Sequence, residues 1–385
     1  MGGLCSMNKI LSFGLSYDDI LVAPGYSDFG RDDVDISTQL TKKISLKTPF
    51  VSAPMDTVTD SRFAIALAKE GGIGILHRNL RINDQAAEVA KVKKEGHLVG
   101  AATGVGEGYK ERVAAIVEAG VDVICIDAAH GFTNLVIDAI KQTKLDYPKI
   151  EIIAGNVATY EGAKALIEAG ADALRVGMGP ASICTTRVVS GMGVPQITAI
   201  LETARAGSES QVPIIADGGI NYYGDIVKAL AAGASTVMLG SMFAATSEAA
   251  GDTLELSREQ VPPQFTSLLS DGTSSYIFKR YRGMGSVGAM NEGARINAED
   301  EFHGKSFKDK VLVAEGVEGL IPLRGSIKEV CDQAVGGLRS GMFYVGTKTV
   351  RELQEKAELI QLTAASLRES HPHDVLITNA GQSYR

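Results

Sequence analysis

The sequence predicts an α/β chain folded as one (β/α)8 TIM barrel, with a long lid over the active-site mouth and a C-terminal tail. Three observations predict it. Eight short β-branched runs recur between residues 49 and 242, each closing in small or polar residues. Between most of them lie patterns with apolar residues three and four apart and a terminal glycine, as amphipathic helices and their C-caps require. The chain also carries 43 glycines beside 11 prolines and no tryptophan, which suits tight strand-to-helix turns and backbone that approaches a ligand closely.

Taken in order, PFVSAPM from Pro49 is followed by the helical SRFAIALAKEGG, and GGIGILHRN from Gly71 by DQAAEVAKVKKEG. HLVGAATG from His97 precedes YKERVAAIVEAG, VDVICIDAA from Val121 precedes LVIDAIKQTK, and KIEIIAGNV from Lys149 precedes YEGAKALIEAG. The sixth run, ADALRVGMG from Ala171, opens into a long loop, GMGPASICTTRVVSGMGVPQ. The seventh, VPIIADGGI from Val212, leads to GDIVKALAAG, and the eighth is STVMLGSM from Ser235. Repeated βα units imply a parallel sheet with right-handed crossovers, and eight even units favour closure into a barrel over a doubly wound sheet. Residues 276–316 then read as a glycine-rich, later heavily charged loop, of the kind that serves as a lid or an interaction arm. Helical patterns return at SIKEVCDQAVGGLRSGM and VRELQEKAELIQLTAASL. One catalytic domain over residues 1–385 is expected, with no second globular unit.

Composition limits the function classes. Apolar residues make up 45% and charged residues 22% of the 385, enough for a sizeable core. The formal net charge of −8 offers no basic surface to nucleic acid or an anionic membrane. No apolar run is long enough to span a bilayer and the start MGGLCSMNK lacks an apolar signal core, so a soluble cytoplasmic protein is expected. The cysteines at 5, 125, 184 and 331 form no CxxC pair, so any chemical role falls to one of them singly.

A barrel builds its site at the carboxyl ends of its strands. Position alone therefore nominates Ser52, Asp56, His77, Asn79, Asp127, Asn156, the loop 177–187, Asp217 to Gly219, Gly240 and Ser241. In GMGPASICTTR, Gly177 and Gly179 let the backbone fold tightly and present Cys184 among Ser182, Thr185, Thr186 and Arg187. A thiol beside hydroxyls and a cation acquires thiolate character, the nucleophilic form; the competing reading is a small buried filler. Cys125, inside an apolar run, and Cys331, on a helix face, read as filler. ADGGI and LGSM follow strands seven and eight, where barrels bind phosphate through backbone N–H groups. Gly218, Gly219, Gly240 and Ser241 suit a phosphate and Asp217 suits sugar hydroxyls, so a phosphorylated ribose fits both; glycines serving only tight turns are the alternative. RYRGMGSVGAM offers Tyr281 and open backbone as a wall for a planar ring, or an ordinary loop. GVGEGY has Tyr109 where a dinucleotide fingerprint needs glycine, and His371 with His373 lack a third metal ligand.

At GMGPASICTTR, ADGGI, RYRGMGSVGAM, VAEGVEG, GGLRSGM and LRESHPHDV together, the chain resembles the inosine-5′-monophosphate dehydrogenase and GMP reductase family over nearly its whole length. The resemblance implies a (β/α)8 barrel in which Cys184 attacks C2 of the purine of IMP. A hydride then passes to NAD, and hydrolysis of the covalent thioimidate releases XMP for guanine nucleotide synthesis. It implies that Thr186 helps activate water and that Glu315 holds the purine edge and assists as a base. The nucleotide would be held by Ser52, Asn156, Ser182, Asp217, Gly218, Gly219, Gly240, Ser241, Tyr281, Gly283, Met284, Gly285 and Glu315. The cofactor would meet Asp127, Gly177, Met178 and Gly179. Potassium would bind carbonyls of Gly179, Ala181 and Cys184, completed by Glu369, Ser370 and His371 of a neighbouring subunit, which implies a homotetramer.

Three departures from the family pattern stand out. The paired CBS modules expected between strands two and three are missing, since KVKKEG runs straight into HLVGAA at a junction near 95–98. Ala181 occupies a glycine position, costly if its φ is positive. In the lid, about 286–316, Glu301 and Phe302 stand where the dehydrogenase pattern has an Arg-Tyr pair. GMP reductase, which releases ammonia and uses NADPH, lacks that pair, so reductase is the alternative activity and an inactive nucleotide-binding regulator a second.

Overall fold

The computed structural model describes residues 13–269, 272–296, 313–377 and 381. Cys5, Glu301 and Phe302 lie outside the described residues. The eight runs form β1 (Phe50–Ser52), β2 (Gly74–Leu76), β3 (Val99–Thr103), β4 (Val123–Asp127), β5 (Glu151–Val157), β6 (Ala173–Val176), β7 (Ile214–Asp217) and β8 (Thr236–Leu239). From β2 to β8 each strand pairs in parallel with the next in sequence, and β8 pairs in parallel with β1. A Val51–Ile73 bridge joins β1 to β2 and closes the barrel, with Ile73 N–H donating to Phe50 O and Ser52 N–H to Ile73 O, both 3.1 Å.

The strands read as near-continuous apolar runs because both faces are covered. Val51, Ile73, Ile75, Val123, Cys125, Ile153, Ile215 and Met238 fill the barrel interior. Their neighbours, among them Leu76, Ile124, Ile152 and Leu174, face the surrounding helices. A short hairpin, Thr38–Gln39 with Ser45–Leu46, brings Leu40 and Leu46 into the interior cluster.

Among the described residues, the helices of nine or more residues are α1 (Ser61–Lys69), α2 (Ile82–Lys94), α3 (Tyr109–Glu118), α4 (Asn134–Asp146), α5 (Tyr160–Ala169), α6 (Gln196–Ser210), α7 (Tyr223–Ala231), α8 (Val287–Arg295) and α9 (Ile327–Val345). Asp60, Thr133 and Thr159 cap α1, α4 and α5 through their side-chain oxygens. Helix α6, which begins where the long loop after β6 returns, is not among the helical patterns expected from the sequence. The helix completing the eighth unit is α9, which packs on α7 so closely that a Cβ at Gly337 or Gly341 would strike Tyr223 or Val227.

Residues 276–316 depart from the expected loop. Their first part is a strand, β10 (Ser275–Arg282), between β9 (Thr253–Ser257) and β11 (Glu318–Pro322) in an antiparallel sheet with its own small core of Val261, Tyr276 and Phe278. The helix α8 follows within the expected lid. Between α2 and β3 the chain needs only residues 95–98, turning at Gly96 with φ +76°. Among the described residues no helix is long and apolar enough to cross a membrane.

Gly74 is the tightest seat between barrel and helices, since a Cβ there would lie 2.4 Å from Ala64 Cβ and 2.6 Å from its Cα on α1. Gly74→Ala is expected to lower stability by about 1–3 kcal/mol through overpacking, measured by urea unfolding; an unchanged midpoint would contradict this packing.

Candidate active site

The loop after β6 starts with backbone that only glycine adopts readily. Gly177 and Gly179 have φ of +152° and +74°, and a Cβ on Gly177 would lie 2.2 Å from Asp217 O. The loop then presents Cys184 just before a single turn of helix, Thr186–Val189. Cys184 N–H donates to Ala181 O at 3.0 Å, and Cys184 bridges Gly316. Around that bridge Thr185 N–H donates to Glu315 O (3.0 Å), Val317 N–H to Ile183 O (2.9 Å) and Glu315 N–H to Gly285 O (3.0 Å). Three segments distant in sequence are thereby locked together. Their side chains form a line: the Cys184 thiol donates to Thr186 Oγ1 at 3.2 Å, and that hydroxyl donates to Glu315 Oε2 at 2.8 Å.

Two cavities meet at this line. One, of about 180 Å³, is lined by Ser182, Gly218, Gly219, Gly240, Ser241, Tyr281 and Gly283. The other, of about 250 Å³, is lined by Asp127, Ala128, Asn156, Gly177, Met178, Gly179 and α8 residues including Ala289 and Met290. Cys184, Asp217, Met284, Gly285 and Glu315 belong to both. Most residues expected at the nucleotide line the first of these two lobes and those expected at the cofactor line the second, with the thiol at the seam, but Asn156, expected at the nucleotide, lines only the second, and Gly218 lines both.

The floor of the seam is an ionic network centred on Arg175, which the sequence reading did not single out. Its guanidinium pairs with Asp127 and, at 2.8 Å, with Asp217. Asn156 Nδ2 donates to Asp217 Oδ2 and to Gly177 O, both at 2.9 Å, and Arg78 Nε lies 3.6 Å from Asp127. Burial alone would favour neutral Arg175, but Asp217 and Asp127 outweigh it and raise the pKa above its ordinary value. A charge inside the apolar run ADALRVG was the available signal, because a buried cation demands partners.

Several positional expectations are corrected. Ser52 lines neither cavity: it is fully buried, and its hydroxyl accepts from Thr59 Oγ1 (2.7 Å) and Ile75 N–H (3.2 Å), while Ala53 and Met55 reach the smaller cavity. Arg187 does not face the thiol; it is exposed and donates to Met178 O and Val194 O. Tyr281 stands beside Gly240, whose added Cβ would lie 2.8 Å from its hydroxyl, so it borders the Gly240 end of its lobe while Met284 spans both lobes. Burial raises the Tyr281 pKa and keeps its hydroxyl a donor. Burial lowers the pKa of His77, which lines neither cavity. Asp56 is bound by Arg282 (2.6 Å) and Asn79 (3.0 Å), and Asn79 also donates to Ala289 O (3.2 Å), joining the barrel rim to α8.

Glu369, Ser370 and His371 lie elsewhere on the chain, with the His371 ring 5.6 Å from that of Tyr222. Among the described residues no cluster of three or more His, Cys, Asp or Glu could hold a metal. Ala181 does not have a positive φ, so its methyl brings no backbone strain.

A family model described as the IMP dehydrogenase / GMP reductase domain matches residues 14–373. An inosine-5′-monophosphate dehydrogenase of Aquifex aeolicus is 40% identical over 509 aligned positions, covering 99% of each chain. That alignment is far longer than 385 residues because the relative has residues this chain lacks. The protein of the same name from Borreliella burgdorferi is 40% identical over 418 positions, covering 96% of this chain and 98% of its own. The Chlorobaculum parvum one is 37% identical, covering 98% and 99%.

Burial pushes both Cys125 and Cys331 up to about 12, so neither carries appreciable thiolate near neutral pH. Iodoacetamide near pH 8 is therefore expected to modify Cys184 while sparing Cys125 and Cys331, as read by peptide mass spectrometry. Faster labelling at either buried position would overturn the assignment of the accessible thiol.

Proposed function

The chain belongs to the IMP dehydrogenase / GMP reductase family, and from that premise we propose that it oxidises IMP to XMP with NAD through a covalent intermediate on Cys184. The observation that carries the reading is the Cys184–Thr186–Glu315 line at the junction of two lobes. The phosphate end of IMP would rest against Gly218, Gly219, Gly240, Ser241 and Tyr281, with the ribose hydroxyls on Asp217. The purine would lie against Met284 and Gly285, with its edge on Glu315. Sγ then forms a bond to C2, and the thiol proton leaves through Thr186 to Glu315 as the thiol line directs.

The cofactor lobe fits a dinucleotide: Asp127 offers a carboxylate to a ribose diol, and Gly177 to Gly179 offer side-chain-free backbone on either side of Met178. NAD would supply the acceptor for the hydride leaving C2. Hydrolysis then requires a water to add at C2 while Sγ leaves. Glu315 first releases the thiol proton to solvent; the Thr186 hydroxyl then accepts the water proton as it passes its own to Glu315, which returns it to the departing thiolate. Overall, IMP, NAD and water become XMP, reduced cofactor and a proton. Arg295 pairs with Glu292 at 2.5 Å and lines neither lobe, so it is no substitute for the arginine that the family pattern places at 301.

Potassium fits part of its expected set. Among the described residues nothing donates to the carbonyls of Gly179 or Cys184, while Ala181 O accepts Cys184 N–H. Glu369, Ser370 and His371 of a neighbouring copy would complete the shell in a homotetramer.

Two experiments test the function. Mixing the protein with IMP and NAD should generate reduced cofactor, and Cys184→Ala should cut turnover by about a thousandfold or more with IMP still bound. Turnover only with GMP and NADPH would make it the reductase, and none with either, despite nucleotide binding, a regulator. Glu315→Gln should slow hydrolysis by about a hundredfold so that protein-bound purine accumulates in quenched samples. Unchanged hydrolysis would remove Glu315 from the proton path.

A further inference from the structure

The catalytic loop leaves the barrel at Val176 and returns at Gln196, and two side chains tie exit to return. Gln196 opens α6 and is only 2% exposed. Its Nε2 donates to Val176 O at 2.9 Å and Asp217 O at 3.1 Å. These are the last carbonyls of β6 and β7, at strand ends where the chain turns away through Gly177 and Gly218, both at positive φ. A buried carbonyl left without a donor is costly, and one amide serves both. On the outer side, Arg187 Nε donates to Met178 O at 3.1 Å and its Nη2 to Val194 O at 2.7 Å, alongside the Met178–Val194 bridge. Neither side chain lines a substrate lobe.

We propose that Gln196 and Arg187 are positioning residues that hold the Cys184 loop at a set distance from Asp217. Gln196 joins the strand carrying Asp217 to both ends of the loop carrying Cys184, and Arg187 closes the neck of that loop. A nucleotide anchored on Asp217 therefore presents its C2 to a thiol whose position is already fixed. Orientation of this kind governs kcat more than binding, because loss of alignment slows reaction of a substrate that still binds. The inference rests on the reading of Cys184 as the nucleophile.

The test compares Gln196→Leu, Arg187→Met and Arg187→Lys with the parent protein. Four quantities are read: the rate of Cys184 alkylation by iodoacetamide at one fixed pH, kcat and KM for IMP, and Tm. Gln196→Leu and Arg187→Met should each change the alkylation rate by about threefold or more and lower kcat by about tenfold or more, with KM changed by less than about threefold. Arg187→Lys, which keeps donors for the two carbonyls, should recover most of kcat. If Gln196→Leu does not fold, Arg187→Met at its exposed position decides. Alkylation rates and kcat within twofold of the parent overturn the proposal, whether or not Tm falls. If the parent itself turns over neither IMP nor GMP, the proposed function fails, and the alkylation rate still tests the bracing.

Discussion

One buried guanidinium organises the mouth of this barrel. Arg175 projects from β6 and is held by carboxylates from β4 and β7, while Asn156 at the end of β5 joins through Asp217. Removing such a charge from water costs several kcal/mol, so it is tolerated only with partners on hand, and losing one partner leaves the others exposed to that cost. Four strand ends are thereby held in one arrangement. Asp127 faces one lobe and Asp217 faces both because the same cation holds them.

The reactive line is built on that floor by backbone pairing. Cys184 sits in a loop, yet its bridge to Gly316 and the flanking hydrogen bonds give it the constraint of a strand residue. Glu315 reaches it from a segment 131 residues away in number, docked by Gly285. Glycine favours the close approach of these segments, because a Cβ on Gly283 would meet Gly316 Cα and Ile183 O at 3.2 Å, tighter than an ordinary contact. The glycine-rich sequence of RGMGS thus serves the packing of the contact as well as an opening for a ligand.

Much of this was legible along the chain and some was not, for physical reasons. The eight strands read directly because burial on both faces makes each a continuous apolar run. The helix α6 escaped notice because the long loop before it drew its first residues into the irregular stretch. The strand β10 was read as loop since its partners, β9 and β11, lie on either side of it at distances no local pattern records. Ser52 is nominated as the polar residue at its strand end, but the direction of the side chain decides which residue meets the cavity, and Ala53 does. Sequence adjacency places Arg187 beside the thiol, whereas the helical turn that starts at Thr186 carries it to the outer side.

Periodicity and glycine placement were sufficient to specify a closed barrel with its chemistry at the carboxyl ends of the strands, because those signals are local and repeat in every unit. The motif residues Cys184, Thr186 and Glu315 were also identifiable from the chain alone. Their assembly into one hydrogen-bonded line was not, and neither was the pairing of Arg175 with two acids or the two hydrogen bonds of Gln196. Each depends on atoms brought within about 3 Å by closure of the barrel, and distances across a closed sheet are set by register and twist, which no single segment encodes.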